Sequence, residues 1–536
     1  MAAKLPDYVA SAEPVPQSAR AAWFKNTAQT YAGIMLWFVF WNQVPVGAGL
    51  KGAAGWSNFA GGTLAQGLGV AFLGLIAAAL ICHFLFYLVP GLLGMKTGLP
   101  LYIVGTSTYG VQGGFLMPGF LMGLLQFGWL AVNAFFAGIL LCAPFGYGFP
   151  SVPHAIVAAA WAALGAFMGL KGIQYVARVA TFLPLIPLAI LVILLVSTIG
   201  GVGDFDQQKL IDSGKAYVPV AETAKAAEQA AGKTEGGAGA VIDAVKAGDA
   251  NAAVDAGKTL LAGAADEAKK VAEAAKPIEA QPALTTFGVI ALITTYVVGF
   301  FATAGAAGAD FGMNNRHAKD VQLGGLVGVA LSTVFAGGVA LLIVAGAHGS
   351  GKAGAGAIME PTALMGGILG SKMGAVCMYL LAIAAFPPAC FSSFIAANSF
   401  KTTLPKVNPF ISCGIGTAVA IVLAITGLAG DAIAVFGIIG ASFGPVCGAM
   451  MADYLLAGRK WAGPRAGWNC AGWVSWVVGF VVGAIGMVVP AMAGKIPCPP
   501  VAAFVVGFVL YIVLAKVGLE TKVIPMGGGT PADEAE

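Results

Sequence analysis

The chain has 536 residues, of which 58% are hydrophobic and only 10% are charged, whereas soluble proteins carry about 25% charged residues. This composition excludes a soluble globular protein and indicates an integral membrane protein. The formal net charge of +4 is spread along the chain without a basic block, so nucleic acid is not an expected partner.

Twelve apolar stretches are long enough to cross a bilayer, which takes about 20 helical residues. They are numbered spans 1 to 12 and lie near residues 31–50, 66–91, 113–141, 154–170, 178–200, 285–306, 322–347, 373–398, 409–428, 433–455, 472–492 and 499–517. An even number of spans places both termini on one side of the membrane. Lys and Arg are concentrated in the short loops on that side, which predicts a multi-pass protein of the inner (cytoplasmic) membrane with both termini in the cytoplasm.

The spans and the polar segments predict six regions along the chain. These are a cytoplasmic N-terminal segment (1–30), spans 1 to 5 (31–200), an insertion (201–284), spans 6 to 10 (285–455), spans 11 and 12 (456–518) and a cytoplasmic tail (519–536). The insertion is rich in Ala, Glu and Lys, and long polar segments cross membranes largely regardless of charge. We interpret it as a solvated extracytoplasmic segment, with an external lid as the alternative.

Spans 1 and 6 carry helix-breaking residues at corresponding positions. Pro45 interrupts span 1, while Gly299, Gly305 and Gly308 lie around Thr303 in span 6. Interrupted spans in matching halves of a transporter point to a binding site at the membrane midplane between inverted repeats. The separation of five spans predicts two inverted five-helix repeats followed by two extra helices, with an unwound backbone near Thr303.

Gln126 and Trp129 lie three residues apart in span 3 and therefore share one face of its helix. An indole can stack on a flat ring, and a primary amide offers that ring both a donor and an acceptor. The pair predicts one wall of a site for a planar polar heterocycle. A structural interpretation is the alternative, in which the amide bonds to a neighbouring helix and the indole fills the core.

Four segments of the chain resemble the purine/cytosine permease family, the nucleobase:cation symporters related to bacterial cytosine permeases and hydantoin transporters. They are PVPQSARAAW before span 1, GMKTGLPLYIVGTSTYGVQGGFLMPGFLMGLLQFGW into span 3, TAGAAGADF in span 6 and FGPVCGAMMADYLLAGRKW at the end of span 10. The resemblance implies an all-α, LeuT-like fold of twelve helices in a five-plus-five inverted repeat. It also implies import of a nucleobase (cytosine or a purine) by cation-coupled alternating access.

The same resemblance implies a small nucleobase-like molecule and the lipid bilayer as partners, with no obligate protein partner and no cofactor besides a coupling ion. Transport of hydantoin or allantoin, and a substrate sensor with a transporter fold, are the alternatives. The spans hold no HExxH motif and no paired carboxylates, and no phosphate-binding glycine loop lies in a soluble domain, so an enzyme is not expected.

The resemblance also assigns roles to individual residues. Trp129 would stack on the substrate ring, Gln126 would hydrogen-bond its polar edge, and Phe301 would be the second stacking aromatic residue. Thr303 and the unwound backbone beside it would add polar contacts. Gln43 of span 1 completes this part of the predicted substrate site.

Span 8 departs from the family pattern. Aligned on the end of its helix, Phe386 and Pro387 occupy the positions of the sodium-binding hydroxyl residues. In this register Pro388 and Ser392 occupy the positions of the substrate-binding asparagines. Ser392 is therefore a further candidate substrate ligand.

The predicted sodium site depends on the same alignment. In the first register only backbone carbonyls near Phe40 and Gln43 remain to bind sodium. A shifted register brings Ser392 and Ser393 into the hydroxyl positions. Either Na⁺ or H⁺ is therefore the expected coupling ion.

Two acidic residues lie near the predicted cytoplasmic ends of spans. Asp310 follows span 6 with Arg316 nearby in sequence, and Asp453 ends span 10 with Arg459 nearby. We interpret both carboxylates as anchors at the membrane interface, each beside its basic neighbour, rather than as proton carriers.

Overall fold

The computed structural model describes residues 5–26, 61–171, 182–183, 185–213, 282–353, 361–404 and 406–526. These residues form helices and their connections, without a β-strand among them. Ten of the described helices are long and apolar enough to cross a membrane, and they correspond to predicted spans 2 to 8 and 10 to 12. Span 9 is a shorter apolar helix, and span 1 lies outside the described residues.

The described spans follow the predicted order. Spans 2 to 12 are Gly67–Thr97, Thr106–Phe145, Val152–Lys171, Leu185–Asp204, Thr286–Ala306, Ala318–Gly349, Ser371–Lys401, Pro409–Ile425, Ala434–Leu456, Cys470–Val488 and Pro499–Lys516. Short helices connect them, at Leu101–Val104 before span 3, Gly308–Gly312 after span 6 and Pro361–Leu369 before span 8. The N-terminal segment contains two single-turn α-helices, Asp7–Ala10 and Trp23–Asn26.

Span 3 is interrupted in its first half. Gly110 has a φ of 81° and a ψ of 162° and breaks the helix inside Thr106–Gly114. A π-helical turn, Phe115–Phe120, follows around Pro118. Proline has no N–H to donate and its ring crowds the preceding turn, so the helix widens there before the regular segment Leu121–Cys142. That regular segment carries Gln126 and Trp129.

Span 6 is interrupted among the predicted glycines, but not at Gly299. Its backbone is helical through Gly299 and Thr303 to the end of Thr286–Ala306. Gly299 instead allows a close helix approach, since a Cβ at this position would lie only 2.6 Å from the carbonyl oxygen of Phe436 in span 10. The interruption falls later, between Ala306 and the short helix Gly308–Gly312.

The described residues before span 1 and after span 12 lie at the same end of the bundle, here named the terminal end. The hydroxyl of Tyr8 donates to the carbonyl oxygen of Val111 in span 3. The backbone N–H of Arg465 donates to the carbonyl oxygen of Thr106 at the start of span 3 over 3.2 Å. Its guanidinium pairs with Glu520, after span 12, at 2.9 Å. Both terminal segments are therefore attached to span 3.

The opposite end of the bundle, the far end, carries the two parts of the predicted insertion that the structure describes, residues 201–213 and 282–284. Leu210 is fully buried there. The side-chain amide of Gln66, before span 2, donates to the carbonyl oxygen of Leu284 over 2.6 Å. Residues 214–281 lie outside the described residues, so the interpretations of the insertion as a solvated segment or as a lid stay predictions.

Candidate functional site

Trp129 of span 3 and Thr303 of span 6 meet inside the bundle. The indole Nε1–H donates to the Thr303 hydroxyl oxygen over 3.2 Å. Thr303 is 5% exposed, and Trp129 is half-buried. The structure thus brings together two of the predicted site residues from two different spans.

Three aromatic rings form a cluster around this contact. The Trp129 ring lies 5.1 Å from the ring of Phe300, edge to face, and 5.2 Å from the ring of Phe436. The rings of Phe300 and Phe436 are 5.5 Å apart at 89°. These separations and tilts are typical of favourable aromatic pairs. Spans 3, 6 and 10 therefore contribute one ring each to an apolar wall beside the Trp129–Thr303 bond.

Phe300 and Phe436 were not among the predicted site residues. Phe300 precedes the predicted Phe301, and only the packed helix shows that the Phe300 ring contacts Trp129. Phe436 gives no sequence signal, because its place depends on how span 10 packs against span 6. Phe301 itself is 4% exposed and its ring packs near Gly305, one turn further along span 6. Its stacking role stays a prediction.

Gln126 is buried on the same helix as Trp129, with 7% of its surface exposed. Its side-chain amide donates to the sulfur of Met122, one turn earlier in span 3, over 3.6 Å. A thioether is a weak hydrogen-bond acceptor, so this bond uses little of the hydrogen-bonding capacity of the Gln126 amide. The amide remains chemically suited to bind the polar edge of a ligand.

Asn133 is a buried polar residue close to Trp129 that was not among the predicted residues. It lies one turn after Trp129 and is 5% exposed. Its side-chain N–H donates to the carbonyl oxygen of Ala385 in span 8 over 3.0 Å, and its oxygen accepts from the indole N–H of Trp161 in span 4 over 2.9 Å. The available signal was a polar residue four positions after Trp129 in an apolar run.

The serines of span 8 point to different neighbours. The Ser392 hydroxyl donates to the carbonyl oxygen of Pro388 in its own helix over 3.1 Å. Ser393 is fully buried and faces Gly169 of span 4, and its hydroxyl has no hydrogen-bond partner among the described residues. Phe40 and Gln43 lie outside the described residues, so the predicted sodium site stays a prediction.

Asp453 is the centre of a buried polar network at the terminal end. Its carboxylate, in a residue 3% exposed, pairs with the guanidinium of Arg465 at 2.8 Å. The basic partner of Asp453 is therefore Arg465 and not Arg459, the basic residue close to it in sequence. Three hydroxyl groups also donate to this carboxylate, those of Ser107 at 2.5 Å, Thr108 at 3.1 Å and Tyr511 at 3.1 Å. The network joins spans 3, 10 and 12 with the loop before span 11.

Asp310 has a different setting at the same end. Its carboxylate accepts a hydrogen bond from the backbone N–H of Leu101, before span 3, over 2.9 Å. The predicted neighbour Arg316 instead donates to the carbonyl oxygen of Arg20 over 2.9 Å. Burial raises the pKa of Asp310 to about 6, and the Leu101 N–H lowers it by a smaller amount. Asp310 thus connects the end of span 6 to the start of span 3 through a single hydrogen bond.

Comparison with known proteins identifies the fold. No protein-family model and no curated protein matches the chain. Among solved structures, it is similar to Mhp1, a nucleobase-cation-symport-1 family transporter, in a closed conformation with bromovinylhydantoin bound. That match has a TM-score of 0.52 and 14% identity and covers 97% of this chain and 98% of Mhp1. The inward-facing conformation of Mhp1 matches with a TM-score of 0.55 and 13% identity, over 96% of this chain and 97% of that one.

These matches confirm the predicted fold class, an all-α, LeuT-like transporter fold over nearly the whole chain. The solved structures that share the fold are membrane transporters and not enzymes. At 13% to 14% identity the likeness establishes the fold alone.

Proposed function

We propose that this protein is a secondary active transporter of the nucleobase-cation-symport-1 family. It imports a nucleobase, cytosine or a purine, or a related heterocycle, by cation-coupled alternating access. The observation that carries the proposal is the hydrogen bond between Trp129 and Thr303, set among the rings of Phe300 and Phe436. The fold shared with Mhp1 and the four family-like segments support it.

The site combines the two features that recognition of a flat polar ring requires. Aromatic faces supply dispersion and exclude water, while buried amides and hydroxyls penalise a ligand that leaves them unpaired. A base stacked on Trp129 would replace its contacts with Phe300 and Phe436 by contacts with the substrate ring. The Gln126 amide and the Thr303 hydroxyl then offer donors and acceptors to the edge of the base.

A hydantoin is the second candidate substrate. Mhp1 was solved with bromovinylhydantoin bound, and a hydantoin ring is also planar, with amide groups on its edge. The same aromatic faces and polar groups would serve it. Ring size distinguishes the two candidates, since a bicyclic purine covers a larger area of the aromatic faces than a five-membered hydantoin ring.

Uptake into proteoliposomes tests the proposal, with radiolabelled cytosine, adenine, guanine, uracil, allantoin and hydantoins supplied one at a time. We expect accumulation of at least one of them and its loss in Trp129→Ala. Trp468→Ala is the matched control, because this indole is 45% exposed at the terminal end, away from the aromatic cluster. Failure of every compound to accumulate above protein-free vesicles would overturn the proposal.

The coupling ion is Na⁺ or H⁺ in this proposal. Ser392 and Ser393, with the backbone near Phe40 and Gln43, form the candidate sodium site. Either a sodium gradient or a proton gradient is imposed across the membrane of the same vesicles, with the same concentration ratio for each ion. Sodium coupling predicts that Ser393→Ala loses the response to sodium while retaining downhill exchange of substrate.

The proposed location is the inner (cytoplasmic) membrane, with both termini in the cytoplasm. Ten spanning helices among the described residues and the shared position of both terminal segments support this topology. In this orientation the Asp453 network lies on the cytoplasmic side, and the insertion lies outside.

A further inference from the structure

Two consecutive prolines weaken span 8 in its middle. Pro387 and Pro388 lie inside the helix Ser371–Thr403. Neither has an N–H, so the carbonyl oxygens of Ile383 and Ala384 lose the donors that an uninterrupted helix would give them. The two halves of the span are therefore joined by fewer backbone hydrogen bonds than those of an ordinary helix. Something outside the span must hold this segment if it has one fixed position.

Asn133 of span 3 reaches this weak point. Its side-chain N–H donates to the carbonyl oxygen of Ala385, the residue directly after the two carbonyls that lose their donors, over 3.0 Å. The indole of Trp161 in span 4 donates to the other end of the same amide over 2.9 Å. A buried amide bonded at both its nitrogen and its oxygen has one preferred orientation.

Span 4 supports the segment from a second direction. The ring of Trp161 lies edge to face on Phe386, with 5.1 Å between centroids. Further along span 4, Gly165 lets Ala389 approach, because a Cβ on Gly165 would lie 3.0 Å from the Cβ of Ala389. Residues on both sides of the prolines are thus packed against span 4.

We propose that Asn133 and Trp161 are positioning residues that fix the proline segment of span 8, residues 386–392, against spans 3 and 4, and thereby set substrate affinity. The segment ends at Ser392, a candidate substrate ligand, while Asn133 lies one turn from Trp129. The pair thus links span 8, which carries Ser392, to span 3, which carries Trp129. This inference rests on the proposed transport function, and its test includes a measurement that needs no transport.

The test uses two substitutions that remove one hydrogen-bonding group each. Trp161→Phe removes the indole N–H and keeps an aromatic ring beside Phe386, and Asn133→Leu replaces the amide with an apolar group of similar shape. Trp473→Phe is the matched control. Its Nε1 is buried and has no hydrogen-bond partner among the described residues, so the same substitution there removes no bond.

The first measurement is the reactivity of Cys390, which follows the two prolines and is fully buried. Intact protein in detergent is treated with N-ethylmaleimide, and the modification of Cys390 is followed by mass spectrometry of its peptide. We expect the labelling rate to rise about tenfold or more, because Trp161→Phe removes one buried hydrogen bond and Asn133→Leu removes two, and either loss loosens the segment. Trp473→Phe should label at the wild-type rate.

The second measurement is transport of the substrate identified for the wild type. A positioning role predicts that KM rises about tenfold in Trp161→Phe while kcat stays within twofold. A purely structural role would lower the melting temperature and the amount of folded protein, yet leave the KM of the folded fraction unchanged.

The outcomes separate this inference from the proposed function. Wild-type labelling rates at Cys390 in both variants would overturn the inference, even if transport is intact. An unchanged KM in Trp161→Phe would also overturn it. If the wild type transports no compound, the proposed function fails, and accelerated labelling would still show that the pair holds the proline segment.

Discussion

Replacing Arg465 with Met should strongly destabilise the terminal end of the bundle. Arg465 is 6% exposed and neutralises Asp453, which is 3% exposed, through a contact of 2.8 Å. Removing one partner of a buried ion pair costs about 3–5 kcal/mol, since the other charge stays buried. Three hydroxyl donors still solvate the remaining carboxylate, so we expect a loss of about 3 kcal/mol.

Thermal unfolding of the purified protein in detergent measures this loss. For a chain of this size a loss of about 3 kcal/mol lowers the melting temperature by on the order of 5 °C. Arg459→Met is the matched control, because it removes a basic side chain from the same loop without touching Asp453. Adding Asp453→Asn to Arg465→Met should restore part of the stability, since it removes the unpaired charge. The reasoning fails if Arg459→Met destabilises as much as Arg465→Met, or if the double variant is less stable than Arg465→Met alone.

Three further predictions concern pH, the site and helix packing. The pKa of Asp310 is about 6 in the fold against 3.8 for an exposed carboxyl, so its proton stabilises the fold fully below about pH 4. This stabilisation is lost as pH rises through 6, and Asp310→Asn should flatten the fall in melting temperature over that window. Thr303→Val removes the acceptor of the Trp129 N–H and should weaken substrate binding about tenfold in an equilibrium binding assay. Gly94→Ala places a methyl group against the backbone that follows span 6 and should cost about 1–3 kcal/mol in thermal unfolding, while Gly69→Ala, with open space around it, should not destabilise.

The positions of the spans could be predicted because hydrophobic length is a local property of the sequence. Spans 2 to 12 all appear as apolar helices, although span 9, Pro409–Ile425, is shorter than the others. The common helix face of Gln126 and Trp129 could be predicted for a related reason. Polar and indole groups in an apolar helix stand out, and their spacing of three residues fixes their common face.

The partners of charged residues could not be predicted in the same way. Arg459 is close to Asp453 in sequence, but the chain turns at Gly458 and Arg459, where φ is 72° and 63°. The loop then returns so that the backbone of Arg465 bonds to Thr106 of span 3. Only the folded loop shows which of two basic residues reaches the carboxylate.

The glycines of span 6 show a second limit of the sequence. A glycine inside an apolar helix can loosen the helix or allow a neighbouring helix to approach. The sequence alone does not distinguish these two roles. At Gly299 the second role applies, because the backbone stays helical and the carbonyl of Phe436 occupies the space of a side chain. The distinction depends on span 10, which lies more than a hundred residues away in the chain.

Span 3 contacts both span 6 and span 8, and these two sets of contacts are unequal. Toward span 8 it presents Asn133, whose amide is also held by Trp161 of span 4. Toward span 6 the contacts include two separate hydrogen bonds, one from Trp129 to Thr303 and one, just before span 3, from Leu101 to Asp310 after the end of span 6. Isolated bonds are easier to exchange for water or for a ligand than bonds within a network. A conformational change that opens the site should therefore move span 6 away from spans 3, 4 and 8, which stay together. A substrate stacked on Trp129 would stabilise the closed arrangement by supplying contacts to both sides of the separating interface.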